Sequence, residues 1–433
     1  MNKHTVLSQW RNLVEQLRRD WTQPGWERFL QILEGYILNR DKHFLTRAIQ
    51  AIGREPHWKA FEEYLERGKW DYDGLEWFLN RLAGERPEAE IEGYLVAALD
   101  ATLVLRGSRR VWGACTYHDY SSRSPNRAAT VIAHNIVELG ELLADPSRPG
   151  EVFEYAPTMQ CFYFRRNQLP PGETFHTKHE LAVAAVRRWA AAMPEDAKLL
   201  CVEDGGFAQK NFLRPLLTPP PGQRRVEFLT RCRCDADLYD LPPDPAARPA
   251  GKRGRKPLWG DKLPAPQDAR DWRIPWRHGK AWVYGQRRRV TYKELTCLWR
   301  VTGSEHPVRI IVARVKGYEG LWHLVSSVMD LDALKLISLH AARFRQENSF
   351  RDRKQELGMG EAIAWTKNPI VRTYQLQMVA HTTMTLLQLE LNRTGEWYHI
   401  PPWYRHKTHS SFRDVESVLR TELANFGQLI ATV

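Results

Sequence analysis

The stretch HAARFRQENSFRDRKQELG, His340 to Gly358, separates His340, Arg343, Glu347 and Lys354 by three, four and seven residues. An α-helix turns about 100° per residue, so these offsets stack the four side chains on one face. Such a stripe is normally apolar; this one sets a carboxylate between two cations, with a histidine behind. Two more acids stand where buried chain stops. Asp100 closes the apolar run GYLVAALD, and Asp204 follows KLLCVE just before Gly205 and Gly206. Three converging carboxylates with no paired cation between them offer hard oxygen ligands to divalent cations. Two such ions about 3.5–4 Å apart can activate a water or a 3′-hydroxyl and stabilise the leaving oxygen of a phosphoryl transfer. Plainer roles also fit the spacing. Arg343 and Glu347 can be an ordinary i,i+4 ion pair, Asp204 a turn acid before two glycines, and Asp100 a cap. Asp119 competes with Asp100, and Asp235 and Asp237 compete with Asp204.

The elements that would carry these acids read as α/β. Residues 1–88 have helical periodicity and many tryptophans, as in WERFLQILEGYILN and HWKAFEEYLERG. DYDGLEWFLNRLAG has an Asp start and a Gly stop, and GERPEAE reads as a linker. Residues 89–240 then alternate strand-like runs with the amphipathic helix TKHELAVAAVRRWAAAM. Residues 241–330 begin as a Pro-, Gly- and Lys/Arg-rich loop and continue as β-strands. Residues 331–395 are helical and include the stripe; 396–433 form a tail with one more helix.

The chain of 433 residues carries 63 Lys and Arg against 51 Asp and Glu, a formal net charge of +12. Such an excess suits a nucleic-acid partner. Its six cysteines lack zinc-site spacing and are expected to be reduced thiols. The N-terminus lacks the apolar core of a signal peptide, and no run of about 18 apolar residues predicts a membrane span.

His340-x2-Arg343-x3-Glu347-x6-Lys354 with QELG resembles the Y-x2-R-x3-E-x6-K signature of bacterial insertion-sequence DDE transposases, with His for Tyr. ALDATLVLRGSRRVWGACTYHD and LLCVEDGGFAQKNFLRPLL resemble the family's stretches around its first and second Asp. The resemblance spans roughly residues 90–395. It implies an RNase H-like core with a β-rich insertion between second Asp and Glu, behind an N-terminal helical domain that binds DNA ends. It implies that Asp100, Asp204 and Glu347 hold two Mg2+ ions, with Mn2+ able to substitute. Arg343 and Lys354 would then hold DNA phosphates, and His340 would stand where the Tyr contacts a terminal phosphate. The implied partners are the element's end DNA, target DNA and a second copy of the chain on DNA, in a bacterial cytoplasm beside the nucleoid. A related nuclease that does not transpose, and a domesticated DNA-binding protein without catalysis, remain open.

Other residues fit DNA contact. Arg253 and Arg255 in GKRGRKP suit a narrow minor groove or a solvated charge run. Arg287, Arg288 and Arg289 in QRRRV suit phosphates. Trp299 can stack on an unpaired base or serve as a core tryptophan.

Overall fold

The computed structural model describes residues 5–18, 21–119, 129–242, 257–395, 403–404 and 406–431; side chains are described as far as Phe426. Arg253 and Arg255 lie outside the described residues. Among the described residues five α-helices come first: α1 (Val6–Glu15), α2 (Gln23–Leu38), α3 (Leu45–Ala51), α4 (Trp58–Arg67) and α5 (Tyr72–Gly84). Strands β1 (Glu90–Ile91), β2 (Tyr94–Leu105), β3 (Cys115–His118), β4 (Thr130–Ala144) and β5 (Phe153–Tyr163) lead to α6 (Lys178–Ala192). Next come β6 (Lys198–Glu203), α7 (Lys210–Leu217) and β7 (Glu227–Arg231). Strands β8 (Leu238–Tyr239), β9 (Lys262–Leu263), β10 (Arg277–Val283), β11 (Gln286–Trp299), β12 (Pro307–Val315) and β13 (Trp322–Ser326) make the insertion. Helices α8 (Ala333–Ala342), α9 (Phe344–Glu356), α10 (Lys367–Thr394) and α11 (Phe412–Ala431) complete the order.

The core sheet runs β5-β4-β2-β6-β7. β2 is antiparallel to β4 and parallel to β6, which is parallel to β7. This mixed α/β architecture matches the RNase H-like expectation. The insertion does not form a separate sheet. β13 pairs antiparallel with β7, and β12, β11 and β10 follow, so the described strands belong to one sheet of thirteen.

Three local expectations are corrected. Asp100 does not end its strand: it lies inside β2, opposite Glu138, and the ladder continues to Leu105 opposite Ala133. Residues 94–99 are all buried and 100–103 are half-buried, so the apolar run stops where cover is lost, not where pairing stops. The stripe from His340 is not one helix: α8 and α9 meet at Arg343, where the Gln346 N–H donates to the Arg343 carbonyl three residues back. GERPEAE is no loose linker, because Pro87–Ala89 form a 3₁₀ turn with Ala89 fully buried.

Two tryptophans, one in α1 and one between α4 and α5, explain how the first helices attach. Trp10 donates its indole N–H to Thr383 at 2.9 Å, and Trp70 donates to Gln375 at 2.8 Å, both on α10. Arg372 of α10 donates in return to the carbonyls of Tyr64, Leu65 and Gly68. α10 is buried on nearly every side, and Arg372, Gln375 and Thr383 are polar positions on it that find partners in the first helices and their connections.

Two buried acids of β4 fasten the helices that flank the site. Glu138 accepts from Arg353 of α9 at 2.6 Å, with both side chains fully buried. Gln346 of α9 donates to the Glu138 carbonyl at 3.0 Å. Glu141 accepts from the Trp189 indole of α6, and burial pushes its carboxyl up to about 8 against that hydrogen bond. Arg353→Met is expected to cost about 3–5 kcal/mol in denaturant unfolding, because it strands the Glu138 charge in the core. A cost near zero would show the pair does not hold α9. Glu141 binds its proton more tightly folded than unfolded. Its stabilisation is therefore full below about pH 4.5 and is lost as pH rises through about 8. Glu141→Gln is expected to flatten the pH dependence of the melting temperature between about pH 5 and 8; an unchanged slope would reject this.

Candidate active site

β2, the end of β6 and α9 deliver one carboxylate each to one point. Adjacent parallel pairing sets Leu99 opposite Glu203, so Asp100 and Asp204 emerge side by side, and the Asp204 amide donates to the Leu99 carbonyl. Asp204 also caps the short turn after β6 by accepting from the Gly206 amide at 3.1 Å. Alternation along the strand turns Glu203 inward, where it is fully buried, and leaves Asp204 half-exposed.

The face of α9 that meets the sheet is Gln346, Ser349, Phe350 and Arg353, a helical stripe at i, i+3, i+4 and i+7. Glu347 and Lys354 each follow a member of that stripe by one residue. They are thus rotated about 100° from the sheet toward the mouth of the site.

The three acids meet around Arg343. Its Nη1 lies 2.6 Å from Asp100 Oδ2, and its Nη2 lies 3.5 Å from Asp204 Oδ1 and 3.2 Å from Glu347 Oε1. The sequence expectation of carboxylates with no cation between them is corrected. The helix break puts Arg343 at the junction of α8 and α9, where its side chain reaches the carboxylates. Burial raises the Asp100 carboxyl to about 6; Arg343 and the Ala101 amide oppose the rise, and Asp204 and Glu347 add to it. Burial works against the Arg343 charge, but Asp100, Asp204 and Glu347 outweigh it and hold the guanidinium pKa above its ordinary value.

Three carboxylates facing one guanidinium leave negative charge uncompensated, and hard oxygens suit a divalent cation. As they stand, among the described residues, no three acids, histidines or cysteines are close enough to hold an ion. The donor chemistry fits; the guanidinium occupies the place where positive charge is demanded.

The remaining expected residues divide. Lys354 borders the acids and donates to Thr102 Oγ1 and the Leu103 carbonyl, both at 3.0 Å. His340 does not reach the site's surface. It is 7 % exposed, packs on Trp322, and neither ring nitrogen has a hydrogen-bond partner. Burial, with Arg343 and Arg231 nearby, lowers its pKa to about 3, so it is a neutral ring. Trp299 is 3 % exposed in the core. Arg287 and Arg289 are exposed at the start of β11, and Arg288 lies over the Tyr318 ring. Asp235 pairs with Arg233 and Asp237 with Lys262, and neither contacts Arg343. Asp332 caps α8, whereas Asp330 pairs with Lys198.

Sequence reasoning missed Glu138 and Arg353, which aim Glu347, and Lys178, at the start of α6 beside Asp100 and Asp204. The Thr177–Glu180 capping box was the available signal for Lys178, because it fixes where α6 starts.

The sequence model of a family described as DDE superfamily endonuclease matches residues 13–300, and the chain belongs to that family. Asp100 and Asp204 fall inside the matched stretch and Glu347 beyond it. No curated protein matches the chain. Among the described residues, no helix is long and apolar enough to cross a membrane.

If Arg343 holds the place of a cation, its removal frees that place. Arg343→Met is expected to bind Mn2+ at least about tenfold more tightly than the parent protein by titration calorimetry without DNA. Equal affinity would show that guanidinium and metal do not share a position.

Proposed function

We propose that the protein is a DNA transposase that binds the ends of its own mobile element, cuts them and joins them to target DNA. The observation that carries this reading is the meeting of Asp100, Asp204 and Glu347, from two neighbouring strands and a helix, around one point. Membership of the DDE endonuclease family supplies the class of reaction. Asp100, Asp204 and Glu347 are the residues that would hold two Mg2+ ions, or Mn2+, whose chemistry is activation of a water or 3′-hydroxyl and stabilisation of the leaving oxygen.

The chain's own residues do the rest. Asp100 and Asp204 come from paired strands, so their separation is fixed by the sheet, while Glu347 is set by how α9 docks. Lys354 stands at the rim and offers its ammonium to a phosphate beside the cut. Arg343 leaves the carboxylates when they take other charge and then turns to a phosphate, the role its place in the signature implies. His340, buried and neutral, packs on Trp322 instead of contacting DNA. Exposed Arg287 and Arg289 add phosphate contacts, and the N-terminal helices add recognition of the ends. Joining two ends in concert takes two such sites, so the working form on DNA is a dimer in the bacterial cytoplasm, beside the chromosome.

A second reading has one observation in its favour. An arginine among all three carboxylates also suits a DNA-binding protein that has kept the scaffold and lost catalysis. Cleavage separates the two. With Mg2+ and a duplex carrying the element's terminal repeat, the parent protein is expected to cut, and Glu347→Gln is expected to lose cutting while end binding stays within about twofold. Retained cutting by Glu347→Gln would reject the site assignment, and binding without cutting by the parent would favour the second reading.

A further inference from the structure

The acids stand between two hollows that share the wall of β2. One, about 450 Å3, lies toward α9 and is lined by Asp100, Thr102, Glu347 and Lys354. The other, about 560 Å3, lies toward α6 and is lined by Asp100, Thr102, Asn135, Tyr163, Lys178 and Asp204. The second is within the range of about 300–1,000 Å3 typical of small-ligand sites, and nothing above gives it a task.

Two of its side chains are incompletely used by the fold. Lys178 is half-buried, and its ammonium lies over the Tyr163 ring at 5.5 Å. Among the described residues it makes no ion pair or hydrogen bond. Burial lowers its pKa, with Asp100 pulling the other way. A partly desolvated cation with a carboxylate nearby but none in contact is costly, and a bonded phosphate would relieve that cost. Asn135 of β4 is 4 % exposed, and its Oδ1 has no donor. A buried acceptor without a donor, on a residue that lines a hollow, calls for an N–H or O–H from what enters it. One hollow therefore offers a cation for a phosphate and an acceptor for a base or sugar.

We propose that this hollow seats the nucleotide adjoining the cut, with Lys178 bonding its phosphate and Asn135 Oδ1 accepting from its base or sugar. The occupant is a DNA strand, not a free nucleotide, because the reacting carboxylates Asp100 and Asp204 are themselves its wall. This inference rests on the transposase reading. The strand crosses the acids with Lys354 on one side and Lys178 on the other, so each flank of the cut phosphate meets its own ammonium.

The test uses the full chain and a duplex carrying the element's terminal repeat, taken from the DNA that flanks the coding sequence. Binding is measured over a range of salt with Ca2+, and single-turnover cleavage with Mg2+. Lys178→Met is expected to reduce the slope of log affinity against log salt by about 0.7–0.9, the loss of one phosphate contact. Its cleavage rate is expected to fall about tenfold or more. Lys178→Arg is expected to restore the slope, and all three proteins to melt together. An unchanged slope in Lys178→Met overturns the inference. So does a lowered slope that comes with a lower melting temperature and no rescue by Arg, because that is a folding role. If the parent does not cut at all, the transposase reading falls, and the salt slope still decides whether Lys178 carries a phosphate.

Discussion

The site depends on a buried ion pair that takes no part in it. Glu138 and Arg353 meet at 2.6 Å with no exposure to water. Their attraction is strong in a low dielectric, and so is the penalty for leaving either alone. Tyr155 and Gln160 of β5 donate to the Glu138 carboxylate, and Gln346 of α9 donates to its carbonyl, so α9 is joined to β4 through both the side chain and the backbone of one residue. Polar fastening of this kind has a direction. An apolar face can slide by a fraction of a turn at little cost, but a guanidinium on a carboxylate cannot. The rotation of α9 is thereby fixed, and with it the bearing of Glu347 and Lys354.

A second arrangement of charge sits on that frame. Asp100 and Asp204 are held by strand pairing, and Glu347 by the docked helix, so three acids are forced close together whatever their mutual repulsion. Arg343 balances part of that repulsion from the break between α8 and α9. The Asp100 carboxyl is nonetheless raised, chiefly by burial and to a smaller extent by Asp204 and Glu347, against the pull of the guanidinium. An empty cluster of like charges would open or take up protons. A cluster with its own arginine stays assembled.

Much of this was legible in the sequence, for identifiable reasons. β2 and β6 read as strands because central strands covered on both faces are continuously apolar. α5 announced its start through Asp71, which accepts from the Gly74 amide of the first turn. What stayed hidden followed from polar burial. The face that α9 buries is Gln346, Ser349, Phe350 and Arg353, so hydropathy could not single it out from the exposed faces. The break at Arg343 has no proline or glycine to mark it. His340 shared the expected spacing yet faces the core, because the spacing assumed an unbroken helix. Asp100 was found through the end of an apolar run, although its strand continues five residues further. Lys178 carried no chemical motif and became visible only when β4, β5 and β6 closed around it.

The joining of β13 to β7 has a mechanical meaning. Four strand spacings of about 4.8 Å carry the sheet roughly 19 Å from β7 to β10, and the accumulated twist of about 20–25° per strand turns the far edge by roughly a right angle. Arg287 and Arg289 sit on β11, one strand in from that edge, opposite Trp282 and Lys280 of β10 and on the same hydrogen-bonded body as Asp204. A duplex held at both places would be gripped by one hydrogen-bonded gauge, and the length of DNA between the outer grip and the acids would follow from a count of strands.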